Sequence, residues 1–343
     1  MRFKSIIICF TLVLPIASCA KQEPNNVADE QSKNFFSLTE LKQAEIKRAE
    51  LKKSGLKNAS ESLLQPISVM QATDDVSLAY RAYLPEQAQA ILIFYHGGGA
   101  HSGLSYHHIG TGLRNDFDIA VYMPDIRGHG ASGGERGDAP NVEQVWSDIN
   151  TMVNTARDTY PDLPIFIGGH SAGAGLALNY SSWDEKAEIE GYAFLAPYFG
   201  YRSKTNYDEG DSEVEFSSVT VSDFVINTLS GGLLLGHSKA VKFNFPDAVL
   251  KANPEIVPFN TVNMANAVTP HSPESQFSDV EKFGLWIGKQ DEAFDPLKVI
   301  MFAQDNSATK AKKEIEMIDN ANHFSIILNG SDLIGPWLQK TLE

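Results

Sequence analysis

Cysteine is scarce in this chain, which contains only Cys9 and Cys19 among its 343 residues. Both lie near the N-terminus, so the remainder can form no disulfide. It also offers no thiol nucleophile and no cysteine-based zinc site. Stability must therefore come from a hydrophobic core. A hydrophobic content of 43% at this length predicts one domain of catalytic size with insertions.

Positive charge is also in short supply, since 28 Lys and Arg face 43 Asp and Glu, a formal net charge of −15. This balance argues against a nucleic-acid partner and against docking on anionic lipid through a basic face. No internal repeat is visible, and glycine and proline are used at ordinary levels. The composition therefore excludes repeat and fibrous proteins.

One long apolar run occurs, IIICFTLVLPIA near the N-terminus, and it is too short to span a membrane as a mature helix. Arg2 and Lys4 precede it, and IASC, ending at Cys19, follows it. This pattern resembles a bacterial lipobox, which predicts that residues 1–18 are a signal peptide and that Cys19 is lipidated. We expect an exported lipoprotein anchored to a membrane of the cell envelope. The alternative is an ordinary secretory signal cleaved near Ala20.

The rest of the chain divides into two parts. Residues 19–65 predict a polar tether followed by an amphipathic N-terminal helix. From Pro66 onward, apolar strands alternate with helical segments, which predicts an α/β fold over 66–343 with a mostly parallel central sheet flanked by helices. Residues 200–277 break this alternation and show no clean strand. Their apolar content predicts a folded cap, or lid, over the carboxyl edge of the sheet.

The sequence GHSAG places Ser171 between glycines, directly after the apolar run PIFI and before a helical segment. It matches the G-x-S-x-G pattern in the strand–turn–helix context that this pattern requires. Gly169 and Gly173 let the turn close, and the hydroxyl of Ser171 projects over the sheet. We predict that Ser171 is a nucleophile.

A serine hydroxyl needs a base within hydrogen-bonding reach. His323 follows the last predicted strand, in the chain order Ser, acid, His that this motif predicts. The competing histidines downstream of Ser171 are His237 and His271, and both fall in the irregular 200–277 segment. His323 is therefore the predicted base.

The acid that orients this base is predicted to be Asp291, the first carboxylate after the strand FGLWIGK. Glu292 and Asp295 are close rivals, and either could instead be a solvated turn residue. The spacing alone does not separate the three.

The sequence FYHGGGAHSG follows a second apolar run and predicts an oxyanion hole. The backbone N–H of Gly98 would be one donor, and the N–H of Ala172, the residue after the nucleophile, would be the other. The three histidines of HSGLSYHH have no paired carboxylate or cysteine at ligand spacing, so we predict no metal and no cofactor. We interpret Asp125, Arg127 and His129 as a polar cluster that fixes its own loop.

Five motifs occur in one order along residues 66–340: HGGGAHSG, PDIRGHGASGG, GHSAG, GKQDEAFDP and ANHF. Together they resemble the monoacylglycerol lipase and lysophospholipase group of α/β-hydrolases. The resemblance implies an α/β-hydrolase fold, a cap over an acyl-binding groove and hydrolysis of carboxylic esters. Ser171, Asp291, His323, Gly98 and Ala172 stand where the functional residues of the group fall. Ala172 departs from the group's usual methionine, and GAG replaces its usual glycine pair.

The expected function is therefore that of a serine hydrolase that cleaves esters of fatty acyl chains, a monoacylglycerol or a lysophospholipid, through an acyl-enzyme. A short-chain esterase, a thioesterase and an aminopeptidase remain alternatives that use the same triad. From a different class, a non-catalytic lipoprotein that binds a lipid or a partner also remains. Acyl length, head group and oligomeric state are left open by the sequence.

Overall fold

The computed structural model describes residues 64–208 and 215–343. The predicted signal peptide, Cys19 and all but the last two residues of the predicted 19–65 segment lie outside the described residues. The strands of the central sheet are β1 (Ile67–Gln71), β2 (Ser77–Tyr83), β3 (Ala90–Tyr95), β4 (Ile119–Pro124), β5 (Ile165–His170), β6 (Gly191–Leu195), β10 (Lys282–Gly288) and β11 (Lys312–Ile318).

The sheet has the spatial order β1-β2-β4-β3-β5-β6-β10-β11. Strand β2 is antiparallel to both of its neighbours, and the other pairs are parallel. The predicted mostly parallel sheet is confirmed. Because the parallel strands run in one direction, the loops that follow them meet at a single edge of the sheet.

The helices connect these strands and cover the sheet. They are α1 (His107–Phe117), α2 (Val142–Thr159), α3 (Ala172–Ser181), α4 (Val221–Leu229), α5 (Asp247–Ala252), α6 (Val262–Val268), α7 (Pro273–Ser278), α8 (Pro296–Asn306) and α9 (Gly330–Leu342). Short 3-10 helices cover Tyr201–Ser203 and Ser325–Asn329.

Helices α1 and α9 are absent from the sequence analysis because their patterns are interrupted. Helix α1 contains Gly110, where a side chain would collide with the ring of Tyr83. Helix α9 contains Pro336, and a side chain at its Gly335 would meet the ring of Phe117. Glycine and proline disfavour helix, so the sequence gives a weak helical signal here. The two segments are nevertheless helical, because their glycines allow close packing against aromatic rings.

Both faces of the sheet are buried, as the alternation along β3 shows. Ile91, Ile93 and Tyr95 belong to one apolar cluster, which includes residues of α2, α3 and α8. The intervening residues, Ala90, Leu92 and Phe94, belong to a second cluster with residues of α1 and α9. Successive strand side chains point to opposite faces, so this strand is uniformly apolar.

The 200–277 segment, called the cap below, lies between β6 and β10 and contains a second sheet. Its strands β7 (Ser217–Val219), β8 (Lys239–Phe243) and β9 (Phe259–Thr261) pair antiparallel. The expectation that this segment holds no clean strand is therefore wrong. The strands are three and five residues long, too short for an alternating pattern to stand out.

The loop after β4 is held by the charges that the sequence analysis singled out there. The carboxylate of Asp125 accepts hydrogen bonds from the N–H of Ser102 at 2.6 Å and of Ala131 at 2.9 Å. The buried guanidinium of Arg127 pairs with Asp148 at 2.7 Å and with Asp74 at 2.8 Å. Asp125 and His129, whose Nδ1 lies 2.9 Å from the Arg127 carbonyl oxygen, bond within the loop as interpreted, whereas Arg127 ties the loop to α2 and to the turn between β1 and β2.

Replacing this arginine (Arg127→Met) is expected to lower the free energy of unfolding by about 3–5 kcal/mol, because Asp148 would remain as a buried carboxylate without its partner. Urea unfolding followed by circular dichroism measures the change. Arg157→Met is the control, since Arg157 is at the exposed end of α2 and donates only to the carbonyl of Pro161. It should cost about 0.5 kcal/mol or less. Equal losses in the two variants would contradict the role given to Arg127.

Candidate active site

Ser171 occupies the turn between β5 and α3 in a conformation that L-residues rarely adopt, with φ 53° and ψ −119°. The turn is tight. A Cβ on Gly169 would lie 2.2 Å from the carbonyl carbon of Gly173, and one on Gly173 would lie 2.4 Å from the carbonyl oxygen of Tyr95. The strained turn therefore requires glycine on both sides of the serine.

His323 and Asp291 form a hydrogen-bonded pair at the same edge of the sheet. His323 Nδ1 lies 2.8 Å from Asp291 Oδ2, and both side chains are fully buried. A carboxylate accepts hydrogen bonds, so Nδ1 carries a proton, and in the neutral ring Nε2 presents a lone pair. Within residues 64–208 and 215–343, Nε2 has no hydrogen-bond partner. The pair thus presents a buried imidazole nitrogen, His323 Nε2, that is positioned to act as a base.

The environment of His323 sets its pKa through two opposing effects. Burial lowers the pKa, because the imidazolium loses its hydration. The Asp291 carboxylate raises it by charge and by hydrogen bonding, and Glu292 raises it by charge. The carboxylates prevail, and the pKa of His323 lies above its usual range. The imidazole is therefore well suited to accept a proton.

Ser171 and His323 line one small cavity. Its space amounts to about 20 Å³, roughly enough for one water molecule. The remaining lining is glycine and apolar or aromatic side chains, apart from His170: Gly97, Gly98, Ala100, Leu104, Tyr106, Phe216, Phe245, Phe324 and Ile327. No acidic side chain of residues 64–208 or 215–343 lines it. The cavity is consequently a small, largely apolar space around a serine and a histidine.

The predicted oxyanion donors are the N–H groups of Gly98 and Ala172. Gly98 lines the cavity, and Ala172 begins α3 directly after Ser171. In the described part of the chain, neither of their backbone N–H groups makes a hydrogen bond. The ring of Phe243, from the cap, packs on Gly98, where a Cβ would lie 2.7 Å from Cζ. Neither predicted donor is thus engaged in a hydrogen bond, and the cap packs on the Cα of Gly98.

The other two candidate acids, Glu292 and Asp295, accept hydrogen bonds from backbone N–H groups. Glu292 Oε2 accepts a hydrogen bond from the backbone N–H of His323 at 3.0 Å, so it touches the main chain and not the ring. Asp295 caps α8 by accepting from the N–H groups of Leu297 and Lys298. The structure places Asp291 alone of the three against the imidazole.

The rival histidines lie elsewhere. His237 Nδ1 pairs with Asp138 at 2.7 Å, and His271 Nδ1 lies 3.0 Å from the side-chain oxygen of Asn179. The residues described here contain no group of three His, Cys, Asp or Glu side chains that could hold a metal ion. Across the same residues, no helix combines the length and the hydropathy needed to cross a bilayer.

Three residues that form hydrogen bonds around the site were not predicted from the sequence. Tyr207, in the cap, donates from its hydroxyl to the backbone carbonyl of Asp291 at 2.5 Å. Tyr106 and His170 contact each other at 3.0 Å. His170 is the variable position of GHSAG, and its partners lie 64 and 153 residues away, so no local pattern could have indicated them.

An eight-stranded, mostly parallel sheet with a serine on the turn after its fifth strand, followed along the chain by an aspartate and a histidine, defines an α/β-hydrolase. The family described as Serine aminopeptidase, S33 matches residues 86–327, and the chain belongs to this family.

Several similar proteins are named as lipases. The chain is 32% identical over 108 residues to a monoacylglycerol lipase of Mycolicibacterium smegmatis, covering 31% of this chain and 38% of that protein. It is 30% identical over 125 residues to a monoglyceride lipase of Rattus norvegicus, covering 36% of this chain and 40% of that protein. The matched part thus spans about two fifths of the length of these relatives.

Among solved structures, a soluble variant of the monoglyceride lipase of Saccharomyces cerevisiae, in complex with a substrate analogue, resembles this chain with a TM-score of 0.60. The identity is 17%, and the match covers 83% of this chain and 99% of that one. This likeness is one of fold. It agrees with the resemblance to the monoacylglycerol lipase group that the sequence motifs indicate.

Removing the charge of Asp291 (Asp291→Asn) is expected to lower the pKa of His323, because Asp291 opposes the effect of burial more strongly than Glu292 does. Glu292→Gln is the matched control, since glutamine still accepts from the His323 N–H. NMR titration of ¹⁵N-histidine resonances compares the three proteins. The larger fall is expected in Asp291→Asn. A larger fall in Glu292→Gln would show that Glu292 dominates the field at the imidazole.

Proposed function

We propose that this protein is a serine hydrolase that cleaves carboxylic esters of fatty acyl chains, with Ser171 as nucleophile, His323 as base and Asp291 as orienting acid. One observation carries the proposal. A buried imidazole, paired through Nδ1 with a carboxylate, shares a cavity with a serine held on a strained turn. This combination makes a weakly acidic hydroxyl nucleophilic.

In the proposed reaction, Ser171 Oγ attacks the ester carbonyl while its proton passes to His323 Nε2. The negative charge that develops on the carbonyl oxygen is stabilised by the N–H groups of Gly98 and Ala172. Collapse of the tetrahedral intermediate breaks the ester bond, and Nε2 returns the proton to the leaving alcohol. Water, deprotonated by the same nitrogen, then hydrolyses the acyl-enzyme and releases the fatty acid.

The lining of the cavity supports an acyl substrate. Leu104, Phe216, Phe245, Phe324 and Ile327 present apolar surface next to Ser171, which suits a hydrocarbon chain. The similarity to proteins named monoglyceride lipases points the same way. We therefore propose a monoacylglycerol or a lysophospholipid as substrate.

An aminopeptidase is the alternative that the family description suggests. Such an enzyme must recognise a cationic α-amino group, which favours a carboxylate in the site. Among the residues that the structure describes, the cavity lining contains none, and this favours the ester substrate. Rates on p-nitrophenyl esters of rising chain length, set against rates on L-aminoacyl p-nitroanilides, separate the two. Faster cleavage of the anilides would favour the aminopeptidase.

Removal of the nucleophile (Ser171→Ala) is expected to lower kcat on a p-nitrophenyl ester by at least ~10³-fold, because nucleophile and base act as a unit. Steady-state kinetics measures the loss. Ser182→Ala is the control, since the Ser182 hydroxyl lies at the far end of α3 and donates to the carbonyl of Asn179. It should turn over at the wild-type rate. A folded Ser171→Ala protein with turnover close to wild type would end the assignment.

We further propose that the protein is exported and held on a membrane of the cell envelope through a lipidated Cys19. The described residues add a supporting feature, an apolar surface on α4 and the loop that follows. Six of its side chains are 43–87% exposed: Val221, Val225, Ile226, Leu229, Leu233 and Leu234. An exposed apolar patch of this kind suits contact with a lipid layer.

The proposed anchor predicts that Cys19→Ser protein remains uncleaved or is mislocalised to the soluble fraction, whereas wild-type protein fractionates with membranes and enters detergent. Serine at this position cannot carry the acyl chains. In the wild-type protein, two or more chains would hold the protein on a membrane far more firmly than one. Cell fractionation measures where the protein is located, and mass spectrometry of the N-terminal peptide measures its cleavage and lipidation. Soluble wild-type protein with an unmodified N-terminus at Ala20 or beyond would favour plain secretion.

A further inference from the structure

Three hydrogen bonds join the segments that carry the proposed oxyanion donor, nucleophile and base. The N–H of Gly97 donates to the hydroxyl oxygen of Tyr106 at 2.8 Å. That oxygen lies 3.0 Å from His170 Nδ1, and His170 Nε2 lies 2.9 Å from the backbone carbonyl oxygen of His323. The chain of contacts thus runs from the loop after β3, across the turn after β5, to the loop after β11.

The chemistry of these groups determines the direction of every bond. A backbone carbonyl only accepts, so the proton of the neutral His170 ring is on Nε2. Nδ1 is then an acceptor, and the hydroxyl of Tyr106 must donate to it. The same oxygen accepts from the N–H of Gly97. All three bonds are satisfied in this one arrangement. The reversed tautomer breaks the bond to the His323 carbonyl and leaves the hydroxyl proton of Tyr106 without His170 as its acceptor.

Burial holds His170 in this state. The residue is 1% exposed, and burial together with the neighbouring His323 places the pKa of His170 well below its usual range. The two imidazole rings are 4.7 Å apart between centroids. A neutral His170 adds no repulsion when His323 accepts a proton. The ring can therefore connect the two loops without disturbing the charge of the base.

We propose that Tyr106 and His170 are positioning residues that hold the Gly97–Gly98 turn and the main chain of His323 in register with Ser171. The proposal rests on the proposed function, since it concerns the alignment of that same site. Space around the turn agrees with it. A Cβ on Gly97 would lie 3.1 Å from His170 Nδ1, 3.3 Å from Ser171 Cβ and 3.3 Å from the Tyr106 hydroxyl. The turn is therefore packed directly against both positioning residues and the nucleophile.

Tyr106→Phe tests the proposal, because it removes the hydroxyl at the centre of the network and retains the ring. We expect kcat on a p-nitrophenyl ester to fall about 10- to 100-fold, since misplacing an oxyanion donor or a base by about 1 Å has an effect of this order. KM should change less than about threefold, because the variant leaves the apolar lining in place.

Tyr180→Phe is a matched control. The Tyr180 hydroxyl also joins a backbone N–H, that of Ala187 at 2.7 Å, to a side chain, Asn150 at 2.5 Å. The ring is equally buried, but it lies on α3 away from the cavity. The two variants should lose similar stability in thermal unfolding, and only Tyr106→Phe should lose kcat. Equal kcat in both, with active wild-type enzyme, would overturn the positioning role and leave the proposed function intact.

The tautomer of His170 gives a second readout, which does not depend on activity. Long-range ¹H–¹⁵N spectra of ¹⁵N-histidine-labelled protein, assigned with His170→Gln, should show His170 neutral and protonated at Nε2 at pH 7. Glutamine can still donate to the His323 carbonyl, so His170→Gln should retain more activity than His170→Leu. A His170 protonated at Nδ1, or equal activity in these two variants, would overturn the network. Absence of ester hydrolysis by wild-type protein would instead overturn the proposed function, and the positioning role with it.

Discussion

The hydrogen bond between His323 and Asp291 is the interaction on which the site depends. Both side chains are fully buried, and either one alone would be an uncompensated buried charge or polar group. Their loops follow β10 and β11, which pair in parallel with Gly288 opposite Ile318. Parallel pairing brings the ends of the two strands to one edge of the sheet. Two backbone N–H groups, those of Ala293 and Phe294, bind the other carboxylate oxygen of Asp291 at 2.9 Å each.

Small residues and aromatic rings shape the space in front of this pair. Glycine on both sides of Ser171 lets β5, α3 and the loop after β3 approach at backbone distance. On the other side, Phe243 and Phe245 of the cap pack with Phe324, the residue after His323, in one apolar cluster. These rings leave room for about one water molecule beside the serine and the imidazole, and a low local dielectric strengthens the electrostatic interactions in the site. The same packing leaves little free space, so a substrate of any length must displace part of it.

Local sequence patterns correctly predicted the features that residues close together in the chain determine. The apolar runs at Ile91 and Ile165, and the glycines around Ser171, are readable because strand burial and tight turns constrain nearby residues. The patterns failed where packing overrides propensity, as with Pro336 in α9, and where strands are short, as with β7. Asp291 and Glu292 are neighbours with similar chemistry, so the sequence could not separate them. The network of Tyr106 and His170 joins residues far apart in the chain and required the fold.

The central claim is that Ser171 is an activated nucleophile, and covalent labelling tests it most directly. Purified protein is incubated with an alkyl fluorophosphonate, digested and examined by mass spectrometry. The account predicts one adduct per chain, on the peptide that contains Ser171, and predicts that His323→Ala greatly slows its formation because the base is lost. Folded wild-type protein that forms no adduct, or forms it on another serine, would contradict the account and favour a non-catalytic protein or a different site.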